Sequence, residues 1–257
     1  MHKPPPPRVG GTAPRPAAGK PAVRAPAPTL PDIAPARCEP GDVIAGKYRL
    51  VSLLGEGGMG AVWRARNMDL DVEVALKLIR AESTVTEATD RLLREAQAAA
   101  KLIDPGIVRV FDFGRSEHGN PFIVMELLEG EDLAAAIQRR GRLSPKRAVR
   151  VLLPVMRALT IAHENGIVHR DLKPENVFLG KTPNGLQPKV VDFGIAQLDK
   201  SQALRLTSTG ALMGSPLYMS PEQAKGEPVD FRADIWGITA VLYEAITAKQ
   251  PFPGTNY

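Results

Sequence analysis

From Tyr48 onward the chain carries short runs of strand-type composition at 48–53, 61–66, 73–79, 107–113 and 121–126. Each is the length of a half-buried strand. One segment among them, about 86–102, reads as a helix, and beyond Gly130 the pattern is mainly helical, broken by loops. The clearest helix covers 144–165: Ser144 stands at the capping position, Pro145 suits the first turn and Gly166 suits the end. Pro154 lies inside it and predicts a kink, since proline removes one i→i−4 bond. A further helix is expected over 231–247. Five strands and one helix followed by a helical half predict an α+β chain of two lobes. The lobes span about 47–126 and 131–257, with Glu126 to Gly130 as the joint.

Composition changes this picture only at the front. The first 40 residues hold 12 of the 24 prolines, with the run Pro4 to Pro7. So little apolar surface there cannot offset the entropy of ordering, and residues 1–40 read as a disordered, partly polyproline tail before a domain at 41–257. The tail has six basic and two acidic residues and so carries most of the net charge of +5. The basic balance therefore gives no reason to expect a specific nucleic-acid partner. The single cysteine, Cys38, leaves no internal disulfide and fits a reducing, cytoplasmic setting. No apolar stretch has the length of a membrane span, and no signal-type segment opens the chain.

Candidate chemistry lies in several short segments. Leu54-Gly55-Glu56-Gly57-Gly58-Met59-Gly60-Ala61-Val62 is a glycine-rich turn between two strand-type runs, which lets backbone approach phosphates. A dinucleotide-binding turn would need a helix directly after the glycines, and Ala61 to Arg66 reads as a strand. Lys77 ends the strand Val74-Ala75-Leu76 and would reach the α- and β-phosphates. Glu95, with Glu87 as the lesser candidate, would pair with Lys77 and hold it straight. His169-Arg170-Asp171-Leu172-Lys173-Pro174-Glu175-Asn176 supplies an acid to orient a hydroxyl, a cation for a moving phosphate and an amide oxygen. Asp192-Phe193-Gly194 adds a second acid, so Asn176 and Asp192 would ligate Mg2+ through oxygen. His169 and Phe193 are expected to pack together. Thr207 and Thr209, ahead of Ser208, are candidate phosphorylation sites whose phosphate would pair with Arg170. Asp234 is expected to be buried and to support the loop that carries Asp171.

These segments, with Gly214-Ser215-Pro216-Leu217-Tyr218-Met219-Ser220-Pro221-Glu222-Gln223, resemble the bacterial Hanks-type, or eukaryotic-like, serine/threonine protein kinases from about Tyr48 to the end of the chain. The resemblance implies the bilobal kinase fold, with ATP and Mg2+ in the cleft and Met125 at the gatekeeper position. It places adenine against the backbone of Glu126 to Leu128, between Val62 and Ala75 above and Phe178 below. Lys173 and Ser215 resemble serine/threonine rather than tyrosine specificity. The implied partners are proteins bearing Ser or Thr, with self-association for autophosphorylation. Phe178 is bulkier than the aliphatic residue usual in the family, Ser215 replaces threonine, Ser220 replaces alanine, and Thr239 stands where glycine is usual, which questions close helix packing there. The family continues beyond the position of Tyr257 with more helices, one bearing an arginine that pairs with the glutamate matching Glu222. The resemblance thus implies an incomplete C-terminal lobe. The alternative expectation is a non-catalytic module that binds nucleotide or partners, or a chain that folds poorly.

Overall fold

A computed structural model describes residues 38–57, 60–79, 96–193 and 216–252, together with His2. The chain divides into two units, Met1–Ala36 and Arg37–Tyr257, and every element below belongs to the second.

The early strand-type runs form an antiparallel six-stranded sheet. Its strands are β1 (Val43–Ile44), β2 (Tyr48–Gly57), β3 (Gly60–Asn67), β4 (Val72–Ile79), β5 (Val110–Arg115) and β6 (Pro121–Met125), in the order β1-β2-β3-β4-β6-β5. Alternation sorts its side chains. Val74, Leu76, Phe122 and Val124 point to one face, where Tyr48, Leu50 and Trp63 join them. Ala75, Ile79, Ile123 and Met125 point to the other, against Ala96 of a helical turn at 96–99 (α1) and Val108. A fully buried aliphatic or aromatic side chain of this kind contributes about 1.5–3 kcal/mol. Since both faces are covered, β6 reads as an unbroken apolar run.

The expected strand at 107–113 is displaced. Ile107 forms a parallel bridge with Val190 instead, and Val108 N–H donates to the Val190 carbonyl at 3.0 Å. Residues 107–109 thus tie the two lobes, and β5 starts only at Val110.

The second lobe is built on α2 (Leu133–Arg140), α3 (Pro145–Glu164), α4 (Pro221–Ala224) and α5 (Arg232–Thr247). It also holds a three-stranded antiparallel sheet, β7 (Gly130–Asp132), β8 (Val177–Thr182) and β9 (Gly185–Val190), which the mainly helical reading omitted. The joint accordingly ends at 129, because Gly130 already pairs with Gly180. Gly130 has φ +146°, and a Cβ there would run into the Leu179 carbonyl, so this strand start admits only glycine. One apolar cluster holds the lobe together, with Leu133, Val151, Val155, Leu159, Val177, Val190 and Val241 at its centre.

α3 runs unbroken through Pro154. Ser144 occupies the cap position without a side-chain cap bond; its carbonyl takes the Ala148 N–H at 2.9 Å. The close approach of α5 to the loop before β8 occurs at Gly237, where a Cβ would come within 2.8 Å of the Leu172 Cβ. Thr239 is exposed and its hydroxyl donates to the Ile235 carbonyl at 2.7 Å, so glycine is not required there.

Candidate active site

Lys77 lies on β4 opposite Val62 of β3 and Ile123 of β6 and is 7% exposed. Its ammonium pairs with Asp192 Oδ1 at 2.7 Å. Burial opposes the charge on the Asp192 carboxyl, but the Lys77 ammonium, by its charge and its hydrogen bond, outweighs it and holds that carboxyl below its ordinary range. Asp192 sits at φ +61° and Arg170 at φ +66°. Left-handed backbone at a non-glycine residue costs on the order of 1–3 kcal/mol and persists only where its surroundings hold it.

Those surroundings can be traced bond by bond. Asp234, in the first turn of α5, is 1% exposed. Its Oδ1 accepts the Arg170 N–H at 2.7 Å and its Oδ2 the His169 N–H at 2.8 Å. The His163 ring on α3 lies against the same Oδ2 through Nε2 at 2.7 Å. His169 is wholly buried. Its Nε2 faces the Val191 carbonyl at 2.9 Å, and a carbonyl can only accept, so Nε2 carries a proton. Its Nδ1 then accepts the Asp171 N–H at 3.3 Å, which makes the ring neutral. The ring also meets Phe193 edge-on, with centroids 4.9 Å apart. From the other side Gln223 of α4 donates Nε2–H to the Arg170 carbonyl at 2.7 Å. Gln223 is itself held by a capping box with buried Ser220.

Inside this frame Asp171 Oδ2 receives Lys173 Nζ at 3.0 Å and Asn176 Nδ2 at 3.1 Å. Asn176 Nδ2 also donates to the Asp171 carbonyl at 2.6 Å, while Val191 N–H donates to the Asn176 carbonyl at 3.1 Å. The last bond draws the two loops together, so Asp171, Asn176 and Asp192 belong to one constellation with Lys77 and Lys173.

Above it, Val62, Ala75, Met125, Leu127 and Leu128 share one apolar cluster. Glu126 N–H donates to the Arg109 carbonyl at 2.9 Å, so that amide is already engaged. Its side chain accepts from Lys189 Nζ at 2.6 Å and from Arg109 N–H at 2.7 Å. Phe178 lies on β8, opposite Asp132 and Lys189. Leu54, Gly55, Glu56 and Gly57 are exposed, and Gly60 to Val62 continue the hairpin on its inner arm. Gly60, at φ +145°, leaves no room for a Cβ beside the Leu78 carbonyl. Glu95, Glu87, Gly58, Met59, Gly194, Thr207, Ser208, Thr209 and Ser215 lie outside the described residues. The expected Lys77–Glu95 pair lies there too.

His163 escaped the sequence reading, and Ser220 and Gln223 stood there only as members of a family segment, without this supporting role. Ser220-Pro221-Glu222-Gln223 spells a capping box and could have been found. His163 carries no local signal, because its partner is 71 residues away. Among the described residues no three His, Cys, Asp or Glu side chains could cage a metal, and no helix is long and apolar enough to cross a membrane.

A family model described as the protein kinase domain matches residues 48–257. The serine/threonine-protein kinase pkn3 of Myxococcus xanthus is 44% identical over 218 residues, which cover 82% of this chain and 40% of that protein. Serine/threonine-protein kinase PknB of Mycobacterium tuberculosis is 41% identical over 217 residues, covering 83% of this chain and 34% of that one. The chain therefore spans well under half the length of these curated relatives. Among solved structures, the Mycobacterium tuberculosis PknI kinase domain aligns with a TM-score of 0.70 at 28% identity, covering 86% of this chain and 80% of that domain.

Proposed function

The chain belongs to the protein kinase domain family, and from that premise we propose that it transfers the γ-phosphate of ATP to serine or threonine hydroxyls of proteins, other copies of itself included. One observation carries the reading: Lys77, Asp192, Asp171, Lys173 and Asn176 are drawn into one constellation by the 2.7 Å Lys77–Asp192 pair, the bonds on Asp171 and the Val191–Asn176 backbone bond. The relatives named as serine/threonine-protein kinases give the same class, and bacterial ones.

The substrate hydroxyl donates a hydrogen bond to Asp171 and loses its proton to that carboxylate late in transfer. Lys173, already 3.0 Å from Asp171, neutralises charge on the phosphoryl group in flight. Lys77 exchanges its contact with Asp192 for the α- and β-phosphates. Asp192 and the Asn176 side-chain oxygen are hard oxygen donors that fit Mg2+, which takes one or two protein ligands and completes its shell with phosphate oxygens and water. When bound, that ion supplies charge neutralisation at the phosphates. Adenine lies in the slot of Val62, Ala75 and Leu128, over Phe178, and bonds the backbone of Glu126 and Leu128. The glycine hairpin Leu54 to Val62 covers the phosphates, and Glu95 steadies Lys77. Asp234 and Arg170 hold the catalytic loop, and Thr207 or Thr209 receives phosphate when one copy acts on another. ATP as donor and the single Cys38 fit a cytoplasmic setting.

The test is transfer of labelled γ-phosphate to a basic protein substrate and to the chain itself, with phosphosites mapped by mass spectrometry. Asp171→Asn should lower transfer by about 10²–10⁴-fold while leaving nucleotide affinity within a few-fold. Transfer by this variant at the parent rate would overturn the assignment of Asp171.

A further inference from the structure

Away from Lys77, Asp171 and Asp192, a cavity of about 80 Å³ opens between α2, the α2–α3 connection, α3 and the β8–β9 hairpin. Buried Leu143, Val151 and Leu179 form its floor. Leu179 follows Phe178 on β8, and successive strand residues face opposite ways, so this groove and the proposed adenine slot lie on opposite faces of one strand. Pockets for whole small molecules run to about 300–1,000 Å³, so this one has room for a single side chain.

The rim decides what that side chain belongs to. Arg140, Arg147 and Lys181 line the mouth and are exposed. The acid among the lining residues, Glu131, is already bonded by Arg139, its Oε2 accepting from Nε at 3.1 Å. That bond, against some desolvation, and the nearby charges of Arg140 and Lys181 keep its carboxyl below the ordinary range. With Glu131 and Arg139 cancelling, three positive charges face solvent around an apolar slot. Leu186, at the hairpin's edge, adds a half-exposed apolar surface to the same mouth. Residues 1–40 of the chain carry six basic and two acidic residues and so have the wrong sign for this rim.

We propose that this groove docks an acidic peptide segment of a partner protein, with one aliphatic side chain seated in the cavity and flanking carboxylates on Arg140, Arg147 and Lys181. An arginine or lysine rim selects carboxylates and speeds encounter, and the slot sets the register of the peptide. Peptide docking here does not depend on catalysis, so it stands or falls separately from the kinase reading.

The probe is a fluorescein-labelled nine-residue peptide of alternating Asp and Glu with one central Leu, titrated with the full chain by fluorescence polarisation. Saturable binding is expected, weakening as NaCl rises from 50 to 300 mM. Arg140→Glu/Arg147→Glu/Lys181→Glu should weaken it by about tenfold or more, and Leu→Ser in the peptide by about fivefold or more. Asp171→Asn should leave it unchanged even if phosphoryl transfer is lost. Leu186→Asp, one exposed change on the hairpin, serves as the second variant and should weaken the peptide several-fold. Thermal melting checks that both variants are folded. Equal binding by parent and both variants would place the peptide elsewhere and overturn the proposal. Binding indifferent to Leu→Ser would reduce the groove to a charged patch, and capture of phosphatidylserine vesicles without peptide binding would assign it to membranes; either outcome also overturns the proposal.

Discussion

Asp234 holds the His169 and Arg170 amides and the His163 ring on two oxygens while nearly inaccessible to water. Removing its carboxylate leaves two amides in the loop that carries Asp171 without their acceptor, at about 1–3 kcal/mol for each buried group left unpaired. Asp234→Ala should therefore lower the melting temperature by several degrees and kcat by more than tenfold, with KM for ATP nearly unchanged, since no proposed nucleotide contact is lost. His163→Ala removes one bond to the same oxygen and should show the same pattern, more weakly. Steady-state kinetics and melting curves on the two variants check this. The Lys77–Asp192 pair gives a second residue-level prediction, in pH. Asp192 is held below the ordinary 3.8, so the folded state binds its proton less readily than the unfolded chain. Its stabilisation is complete above the unfolded value and is lost as pH falls through the depressed one. Lys77→Met removes the largest charge that favours the carboxylate, so the Asp192 carboxyl rises from its depressed range. The parent should melt above the variant at pH 6, and the gap should close as pH falls through the ordinary 3.8 and then through the depressed value.

Among the elements, β7 is three residues long and rests on one backbone angle. Gly130→Ala must either move the strand off the Leu179 carbonyl or leave the positive-φ half of the backbone map, and should cost about 2–4 kcal/mol. Gly185→Ala, also at positive φ but with open space around it, should cost about 1–2 kcal/mol. Chemical denaturation of both variants separates strain from collision. The same sheet shows why some of the architecture escaped the sequence. β8 and β9 are six residues each, and they carry Gly180, Lys181, Pro188 and Lys189, which hide the alternation. Pro183 and Asn184 form the turn between them, since Thr182 pairs with Gly185 across those two residues. β1, with two residues, offers no period to read. Five of the six strands of the first sheet were legible because its inner strands run for eight residues or bury every side chain. Spacing alone could nominate Lys77, Asp171, Asn176 and Asp192, because each sits in a motif of adjacent residues. It could not supply Gln223 on the Arg170 carbonyl, a bond that joins positions 53 residues apart.

At the scale of the whole second unit, the two lobes have separate apolar clusters, one beneath each sheet face in the first and one running through α2, α3 and α5 in the second. Among the described residues, they are joined by Ala99, Leu102 and Ile107 packed into the second lobe's cluster, by Val191 packed against the first lobe's, by the backbone bonds between 106–108 and Val190, and by the Lys189–Glu126 and Lys77–Asp192 pairs. A ligand that contacts Val62 and Lys77 on one side and Asn176, Phe178 and Asp192 on the other adds to exactly those links, so its effect should be cooperative across both lobes. At 100 times Kd, Mg-ATP stabilises a folded binder by about 2.7 kcal/mol, which at about 2–4 °C per kcal/mol for a unit of this size raises the melting temperature by about 5–11 °C. Calorimetry should show one sharpened transition with Mg-ATP, in place of a broader or earlier one without it. Lys77→Met, by cutting a link on the first lobe and a phosphate contact together, should lose most of that gain. If Mg-ATP leaves the melting temperature of the parent unchanged at millimolar concentration, the cleft does not bind nucleotide and the phosphoryl-transfer reading falls with it.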